Sequence, residues 1–249
     1  MTIRILLISD IHGNYPALQA IDRQLEAANF DYIVNSGDCL VYAPFPNETL
    51  DWLSKHKVIS ILGNTDQKVI KLLLGKSFKK PSNPEKRIMY TRTADDLHKN
   101  SRRYLLSLTE KSKLKLFPSG TGSEKDKIKL GIFHGSPADH TEFLFADTPD
   151  ARFHELASLT NCHIVVTGHS HSPYHKTLSN IHFINPGSAG RMFDGDPRVS
   201  CATLEITDHN IVVQHFRVAY NITEVVSKIR QDNLPEIYAT MFRNGKKMN

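Results

Sequence analysis

Apolar runs alternate with amphipathic segments over the first 62 residues, and this alternation restricts the fold more than any other feature of the chain. IRILLIS (3–9), DYIVNSGD (31–38) and the run at 57–62 are predicted to be buried strands. The segments at 14–29 and 46–56 have the apolar spacing of helices. The order β-α-β-α-β predicts an α/β protein with a parallel sheet and right-handed crossover connections.

The rest of the chain predicts further strands and helices. We expect a polar loop at 76–87, a helix over 93–108 with Thr93 as its N-cap, and a turn at 118–126 between two strands. The later predicted elements are a helix near 150–160, strands at 162–169, 182–188, 200–207 and 210–220, and a helix at 221–232. We predict a single domain over 1–249, with a Lys/Arg-rich helical and loop cover at 75–130 and a C-terminal helix and tail at 221–249.

The composition is typical of a globular protein, with 40% hydrophobic and 23% charged residues. No apolar run approaches the roughly 18 residues needed to span a bilayer, so no membrane association is expected. The segment MTIRILLISD lacks the features of a signal peptide. Three widely spaced cysteines, Cys39, Cys162 and Cys201, argue against a disulfide framework and predict a cytoplasmic location.

The positive charge is concentrated in one segment. Residues 75–130 contain 15 Lys/Arg and 6 Asp/Glu, whereas the net charge of the whole chain is +5. This segment is either a solvated cover or a surface that attracts an anionic substrate. The sequence contains no motif for nucleic-acid recognition, so we expect no dedicated nucleic-acid binding.

Polar side chains that can bind metals follow five of the apolar runs. They are Asp10 and His12 in SDIHGN, Asp38 in SGDC, Asn64 in LGNTD, His134 in FHGS, and His169 and His171 in TGHSHS. Glycine in most of these segments permits a tight turn that points the following side chain out of the sheet. One such residue is usually a turn or cap, but their recurrence at equivalent places indicates a shared site at the strand ends.

The residue types indicate the chemistry of this site. Two aspartates, four histidines and one asparagine can form two adjoining sites with mixed nitrogen and oxygen ligands. This mixture favours Mn²⁺, Fe, Co²⁺, Ni²⁺ or Zn²⁺ over Mg²⁺ and Ca²⁺, which prefer oxygen ligands. The cysteines lack the paired spacing of structural zinc sites.

The segments DIHGN, GD, GNTD, FHG and GHSH resemble, in this order, the five signature motifs of the calcineurin-like metallophosphoesterases. NPGS at 185–188 and the stretch at 37–53 resemble features of the bacterial phosphodiesterase branch. The resemblance implies a four-layer α/β/β/α sandwich with two mixed β-sheets and a dinuclear metal site at the strand ends.

The resemblance also implies roles for individual residues. Asp10, His12 and His171 are expected to hold one metal ion, Asn64, His134 and His169 a second, and Asp38 to bridge the two. Two divalent transition metal ions, with manganese favoured, are expected to activate a bridging hydroxide for attack on phosphorus. Asp38, Asn64 and His134 are accordingly predicted to be essential for catalysis in a phosphodiesterase or nucleotide phosphohydrolase.

Thr65 departs from the resembled pattern, because many family members have a histidine at this position. That histidine is thought to assist the leaving group, whereas a threonine hydroxyl is too weak an acid to transfer a proton near neutral pH. The phosphodiesterase branch often has a small residue here, so the departure is compatible with activity. We predict better activity on phosphoanhydrides or aryl phosphodiesters than on alkyl monoesters, with His12 or His140 as alternative proton donors.

Four side chains are candidate contacts to a small, nucleotide-like phosphorylated substrate: Asn14, Tyr42, Thr65 and Arg191. Each is equally compatible with a turn or surface role. Asp66 is predicted to cap a helix that begins near Gln67, with a catalytic role as the alternative.

The alternative functions are a dinucleoside-polyphosphate hydrolase and a protein phosphatase of the same superfamily. The basic segment at 75–130 suits a polyanionic substrate, whereas the lack of evident peptide-docking insertions weighs against a protein phosphatase. A non-catalytic scaffold, like the retromer subunit of this fold, is less favoured because all seven ligand positions are filled.

Overall fold

The structure, a computed structural model, describes residues 2–118 and 127–249. Its strands are β1 (Ile3–Ile8), β2 (Tyr32–Asn35), β3 (Ile59–Ser60), β4 (Lys111–Leu116), β5 (Ile128–Phe133), β6 (Ile164–Val166), β7 (Tyr174–Leu178), β8 (Ile181–Asn185), β9 (Val199–Ile206) and β10 (Ile211–Val218). Its helices are α1 (Tyr15–Leu25), α2 (Pro46–Lys55), α3 (Asn64–Leu73), α4 (Pro84–Asp96), α5 (Lys99–Ser107), α6 (Asp150–Ser158), α7 (Ile222–Gln231) and α8 (Glu236–Asn244). A 3₁₀ turn at Ala27–Asn29 follows α1.

The strands form two five-stranded mixed sheets. The first has the order β10-β9-β1-β2-β3, in which β1, β2 and β3 are parallel and β9 is antiparallel to both neighbours. The second has the order β4-β5-β6-β8-β7, with parallel inner strands and antiparallel outer ones. The parallel sheet predicted for the first part of the chain is thus confirmed for β1 to β3, and both sheets are mixed, as the resemblance implies.

The alternation of side chains along β1 explains how the layers stack. Ile5 and Leu7 point into an apolar core between the two sheets, whereas Leu6 and Ile8 point into the core beneath most of the helices. Phe153 of α6 packs in a third core on the outer face of the second sheet. The order of layers is therefore helices, sheet, sheet and helix, which confirms the four-layer sandwich.

The single helix predicted over 93–108 was wrong, because this region contains two helices, α4 and α5. The first of them begins at Pro84, inside the segment at 76–87 that was predicted to be a loop. Asn83 caps this helix with its side chain, and a proline fits the first helical turn. Thr93 is consequently a buried residue within α4 and not an N-cap.

The break between α4 and α5 depends on a residue from another helix. Leu97 has an extended backbone (φ −65°, ψ 125°). On either side of it, the amide nitrogen of Asn47 donates to the carbonyl oxygen of Asp96, and its oxygen accepts from the backbone N–H of His98, both at 2.9 Å. Asn47 lies in α2, so the local sequence of 93–108 gives no signal for this break.

Other elements confirm or extend the sequence predictions. The strands predicted at 200–207 and 210–220 are confirmed as β9 and β10, which form an antiparallel hairpin. Strand β7 and helix α8 were not predicted. Of the predicted turn at 118–126, residues 119–126 lie outside the described part of the chain. None of the helices within the described ranges is both long and apolar enough to cross a membrane.

Candidate metal centre

The structure brings the seven predicted ligands together at one edge of the two sheets. Asp10 and His12 follow β1, Asp38 follows β2, Asn64 begins α3 after β3, His134 follows β5, and His169 and His171 follow β6. Neighbouring parallel strands end at the same edge of a sheet, so the loops after them lie side by side. Five of the side chains are buried, and Asn64 and His169 are partly exposed.

Asp10, His12 and His171 form the first group, with potential ligand atoms within 4.8 Å of one another. The Nε2 atoms of the two histidines lie 3.1 Å apart, and His171 Nε2 lies 3.4 Å from Asp10 Oδ1. The Nδ1 atom of His12 lies 3.4 Å from the carbonyl oxygen of Leu40, and that of His171 lies 2.5 Å from the carbonyl oxygen of Arg191. A carbonyl oxygen can only accept, so both Nδ1 atoms carry the proton and both Nε2 atoms present lone pairs.

This first group has the properties of a cation site. Asp10 Oδ1 is buried without a hydrogen-bond partner, while Oδ2 accepts from Ser9 Oγ at 2.7 Å and from the N–H of His169 at 2.9 Å. An unpartnered carboxylate oxygen beside two facing lone pairs is unfavourable unless a cation lies among them. A carboxylate and two imidazoles are also ligands that divalent transition metals accept.

Asn64, His134 and His169 form a second group beside the first. His134 Nε2 lies 3.1 Å from both Asn64 Oδ1 and His169 Nδ1, and His134 Nδ1 donates to the carbonyl oxygen of Ser36 at 2.9 Å. In this orientation the amide oxygen of Asn64 faces ring nitrogens of His134 and His169. The reverse orientation of the amide places its nitrogen there, as a donor to both rings. In either orientation, a polar atom of the Asn64 amide lies 3.1 Å from His134 Nε2 and 2.9 Å from His169 Nδ1.

Asp38 lies between the two groups. Its Oδ2 is 3.9 Å from His12 Nε2, and its Oδ1 is 3.5 Å from His134 Nε2. The backbone N–H of Thr65 donates to Oδ1 at 2.8 Å, which fixes the orientation of the carboxylate. The carboxylate of Asp38 therefore faces both ligand groups.

The charges in the site also favour bound cations. Burial alone would raise the pKa of Asp10 and of Asp38, but the surrounding imidazoles outweigh it and both pKa values lie below the ordinary range. Burial and a neighbouring histidine lower the pKa of His12 to about 3 and that of His169 to about 4. For His134, burial is outweighed by the two carboxylates, and its pKa is raised. Charged carboxylates beside the neutral imidazoles of His12 and His169 are protonation states that metal binding requires, and a bound cation would displace the proton that the carboxylates favour on His134.

Asp66 holds two of the ligand loops together. Its fully buried carboxylate accepts backbone hydrogen bonds from Cys39 and Leu40, both at 3.1 Å, and from Gly63 at 2.9 Å. The predicted helix start near Gln67 was wrong by three residues, since α3 begins at Asn64. Asp66 still caps the helix, through the N–H of Gly63, and it also braces the loop that carries Asp38.

Two glycines allow these loops to approach one another closely. A Cβ atom at Gly63 would lie 2.1 Å from Asp38 Oδ1, and one at Gly168 would lie 2.0 Å from Ser9 Oγ and 2.7 Å from Asp10 Oδ2. Such distances are far inside van der Waals contact. Any larger residue at either position therefore displaces a carboxylate or its hydrogen-bond partner.

Five of the seven candidate ligands have a left-handed backbone. They are Asp10 (φ 50°), His12 (φ 55°), Asp38 (φ 54°), His169 (φ 64°) and His171 (φ 56°). This region disfavours residues with a Cβ atom, although Asp and His enter it more often than most. The turn of the chain directly after each strand points these side chains into one shared space.

A cleft of about 550 Å³ opens beside the two groups. Its walls include His12, Asp38, Asn64, His169 and His171, together with the predicted substrate contacts Tyr42, Thr65 and Arg191. The candidate ligands and these three predicted substrate contacts therefore face the same space.

The predicted substrate contacts differ in how their polar atoms are used. The hydroxyl of Thr65 donates to the carbonyl oxygen of Leu40 at 3.0 Å. Asn14 is fully buried as the N-cap of α1, and its amide nitrogen donates to the carbonyl oxygen of Gly190 at 2.8 Å. Arg191 is 5% exposed, and its Nε atom has no hydrogen-bond partner. Of these side chains, Arg191 retains an unused donor.

Sequence reasoning missed several residues of the cleft wall: Lys86, Phe143, Phe193, Lys247 and Asn249. They come from α4, the loop after β5, the loop before β9 and the segment after α8. None has the strand-end position that identified the ligands. Among the described residues of the basic segment at 75–130, Lys86 is the one that lines the cleft.

Known proteins resemble this chain over nearly its whole length. An uncharacterized protein of Methanocaldococcus jannaschii is 28% identical over 250 residues, which cover 93% of this chain and 94% of that protein. The structure of a metallophosphoesterase from Sphaerobacter thermophilus is 26% identical, with a TM-score of 0.75 over 98% of this chain and 99% of that one. A hypothetical protein from Pyrococcus horikoshii OT3 has a TM-score of 0.83 over 99% and 100% of the two chains, and at 18% identity it supports the fold alone.

A family model described as the calcineurin-like phosphoesterase superfamily domain matches residues 3–209. The matched range includes all five motif loops and every member of the two ligand groups. The more specific assignment to the bacterial phosphodiesterase branch stays a prediction. The chain belongs to the calcineurin-like phosphoesterase superfamily and is a metal-dependent phosphoric ester hydrolase.

Proposed function

We propose that the protein is a dinuclear phosphoesterase that hydrolyses phosphodiesters or nucleotide phosphates. In this proposal Asp10, His12 and His171 hold one divalent transition metal ion, Asn64, His134 and His169 hold a second, and Asp38 is shared. The observation that carries the proposal is the 3.1 Å separation of the Nε2 atoms of His12 and His171 beside the unpartnered Oδ1 of Asp10. Manganese is the favoured metal, and Fe, Co, Ni and Zn suit the same mixed ligands.

The protein's own contribution begins with the orientation of these ligands. Carbonyl oxygens of Leu40, Ser36 and Arg191 hold three imidazoles in the tautomer whose free nitrogen faces the site. The N–H of Thr65 orients the shared carboxylate of Asp38. When bound, the two ions supply activation of water and electrostatic stabilisation of the phosphoryl group.

The cleft beside the ligands supports an aromatic or nucleotide-like substrate. The ring of Phe143 lines the cleft, is 53% exposed, and stacks on His169 with ring centres 4.1 Å apart. An aromatic side chain that stacks with a base contributes about 1–3 kcal/mol to nucleotide binding. We therefore expect the base or aryl group of the substrate to lie against Phe143.

Thr65 supports a preference for good leaving groups. Its hydroxyl donates to the carbonyl oxygen of Leu40 and is therefore not a free hydrogen-bond donor. A threonine hydroxyl is also too weak an acid to protonate the leaving group. A leaving group that is stable as an anion needs no proton from the protein. Aryl oxides and phosphates meet this condition, whereas simple alkoxides do not.

Removal and replacement of metal ions tests the proposal. The purified protein is stripped with a chelator, reloaded separately with Mn²⁺, Fe²⁺, Co²⁺, Ni²⁺ or Zn²⁺, and assayed with bis(p-nitrophenyl) phosphate. We expect two ions per chain by elemental analysis, no activity in the stripped protein and recovery with at least one metal. The exposed His209, which lies outside the cleft, provides a control through His209→Ala.

Two results would contradict the proposal. One is full activity in protein that retains less than one metal ion per chain. The other is stoichiometric loading with two ions that leaves the protein inactive on aryl phosphodiesters and nucleotides alike. Loss of metal binding in His209→Ala would show instead that nonspecific histidine sites dominate the measurement.

A further inference from the structure

Three cations line the side of the cleft formed by α4, Arg191 and the segment after α8. We call Lys86, Arg191 and Lys247 the basic wall; all three contribute to the cleft that also contains His12 and Asp38. In the part of the chain that the structure describes, none of the three is within ion-pair distance of a carboxylate. The proposed dinuclear chemistry at one phosphoryl group does not use them.

Arg191 is the most informative member of the basic wall. Its guanidinium carbon lies 4.2 Å from the ring centre of Tyr42, 5.1 Å from that of Phe193 and 5.6 Å from that of Tyr238. Its Nη2 atom contacts the sulfur of Met241 at 2.8 Å, and its Nε atom has no partner. The rings stabilise the charge of Arg191 but do not neutralise it, so a positive charge at the cleft wall is left for an anion.

Lys86 and Lys247 add to the same positive field. Burial lowers the pKa of Lys86, and the nearby charges of Lys247, Arg191 and Lys68 lower it further. These cations therefore repel one another in the structure, and an anion between them relieves the repulsion. The Nζ atom of Lys247 lies 5.8 Å from the ring centre of Phe193, which places it beside the rings around Arg191.

We infer that the basic wall binds a second phosphoryl group of the substrate, so that the preferred substrate is a polyphosphorylated small molecule such as a nucleoside diphosphate. This inference rests on the proposed function, because it places the first phosphoryl group at the metal ligands. The cleft of about 550 Å³ is continuous from those ligands to the basic wall, so one molecule reaches both. A ligand with a single phosphoryl group, bound at the metal ligands, leaves the three cations of the basic wall without an anionic partner.

The reaction that fits this arrangement is hydrolysis of a phosphoanhydride. The oxygen of water forms a bond to one phosphorus atom, and the bond from that phosphorus to the bridging oxygen breaks. The bridging oxygen leaves with the electron pair as part of a phosphate, and the proton lost by water goes to solvent. A phosphate leaving group is stable as an anion, which agrees with the absence of a proton donor at Thr65.

Competitive inhibition measures the contribution of the second phosphoryl group. AMP and α,β-methylene ADP compete with bis(p-nitrophenyl) phosphate while the free Mn²⁺ concentration is held constant. We expect the ADP analogue to bind at least about tenfold more tightly than AMP, since one charge-assisted contact contributes about this factor. In Lys86→Gln/Lys247→Gln the ratio of the two inhibition constants should fall to about threefold or less.

A matched double variant controls for the loss of charge. Lys79→Gln/Lys246→Gln removes one lysine from the basic segment and one from the segment after α8, both exposed and outside the cleft wall. It should keep the ratio of the parent protein. A ratio near one in the parent protein, or an unchanged ratio in Lys86→Gln/Lys247→Gln, overturns the inference.

Failure of this inference is distinguishable from failure of the proposed function. If the protein hydrolyses bis(p-nitrophenyl) phosphate but the ratio of inhibition constants is unchanged in Lys86→Gln/Lys247→Gln, phosphate binding by the basic wall is rejected. The proposed function is then still supported. If the metal-loaded protein hydrolyses no substrate, calorimetric titration with the same two nucleotides still gives the ratio of their affinities. A ratio that responds to Lys86 and Lys247 in that experiment supports the wall without reference to turnover.

Discussion

The hydroxyl of Thr65 donates a 3.0 Å hydrogen bond to the carbonyl oxygen of Leu40, and so it is committed to the loop that follows β2. We expect kcat/KM for bis(p-nitrophenyl) phosphate to exceed that for an alkyl monoester such as glycerol 2-phosphate by about 10²–10⁴-fold, the usual contribution of general acid catalysis. Steady-state kinetics with both esters measures the ratio. Comparable values would show that another group supplies the proton.

Thr65→Val separates a structural role of this residue from contact with the leaving group. The variant should keep the ratio of aryl to alkyl activity, while its free energy of unfolding falls by about 1 kcal/mol from the lost hydrogen bond. Kinetics and urea denaturation report the two effects independently. A change of tenfold or more in the ratio would assign the hydroxyl to the substrate instead.

His134→Ala and Asp38→Asn should remove phosphoesterase activity and leave the fold intact. The Nε2 atom of His134 lies 3.5 Å from Oδ1 of Asp38, and both side chains face the space between the two ligand groups. A loss of at least about 10³-fold in kcat is expected, because each change removes a proposed metal ligand. Elemental analysis should show fewer than two ions per chain, and circular dichroism should match the parent protein. Near-parental turnover in a folded, metal-loaded variant contradicts the assignment.

Asp66→Asn should weaken both stability and metal binding. The two carboxylate oxygens of Asp66 accept from three backbone N–H groups. Asparagine keeps only one of these oxygens, and its NH₂ group would face a backbone N–H that also needs an acceptor. The free energy of unfolding should fall by about 1–3 kcal/mol in the metal-free protein. Metal affinity should fall as well, because the loops of Asp38 and Asn64 lose their common brace.

A second aspartate provides the control for this experiment. Asp51 is exposed on α2, and Asp51→Asn removes the same charge without touching the ligand loops. Urea denaturation in chelator, followed by Mn²⁺ titration, compares the two variants. Equal effects of Asp66→Asn and Asp51→Asn would show that net charge, and not the brace, accounts for the change.

Three histidines on β7, β8 and β10 predict a loss of stability in acid. Burial lowers the pKa of His175, His182 and His215, and the Nε2 atom of His175 lies 2.9 Å from Nδ1 of His182. The pKa of these histidines is lower in the folded protein than in the unfolded chain, so the unfolded chain takes up protons first as the pH falls. Stability is therefore full above the ordinary histidine pKa of about 6.5 and declines below it.

Denaturation in urea with chelator, at pH 7.5 and pH 5.0, measures this decline. His182→Gln removes one of the three groups and should show a smaller decrease than the parent protein. The exposed His209, for which burial is absent, serves as a control through His209→Gln. An equal pH dependence in all three proteins would exclude a contribution from this cluster.

The metal-ligand candidates could be predicted because their signal is local. Each follows an apolar run directly, and the geometry of a parallel sheet brings such positions together whatever the rest of the chain does. The positions of Asp38 and His134, far apart in sequence, are thus both evident from neighbouring residues alone.

The cleft wall and the break between α4 and α5 could not be predicted in this way. Lys86 and Lys247 belong to polar segments like many others, and only the packing of α4 and α8 brings them to the cleft. The helix break depends on Asn47, which lies about fifty residues earlier in the chain. These features arise from contacts between distant segments, for which a single sequence carries no periodic or compositional signal.

The left-handed backbone at Asp10, His12, Asp38, His169 and His171 has a consequence for how this chain can change over generations. Each such residue costs about 1 kcal/mol relative to glycine. Glycine at these positions would relieve that strain, but it would also remove the carboxylate or imidazole that the candidate metal site requires. The two requirements oppose each other at every ligand turn, so we expect these five positions to tolerate few substitutions.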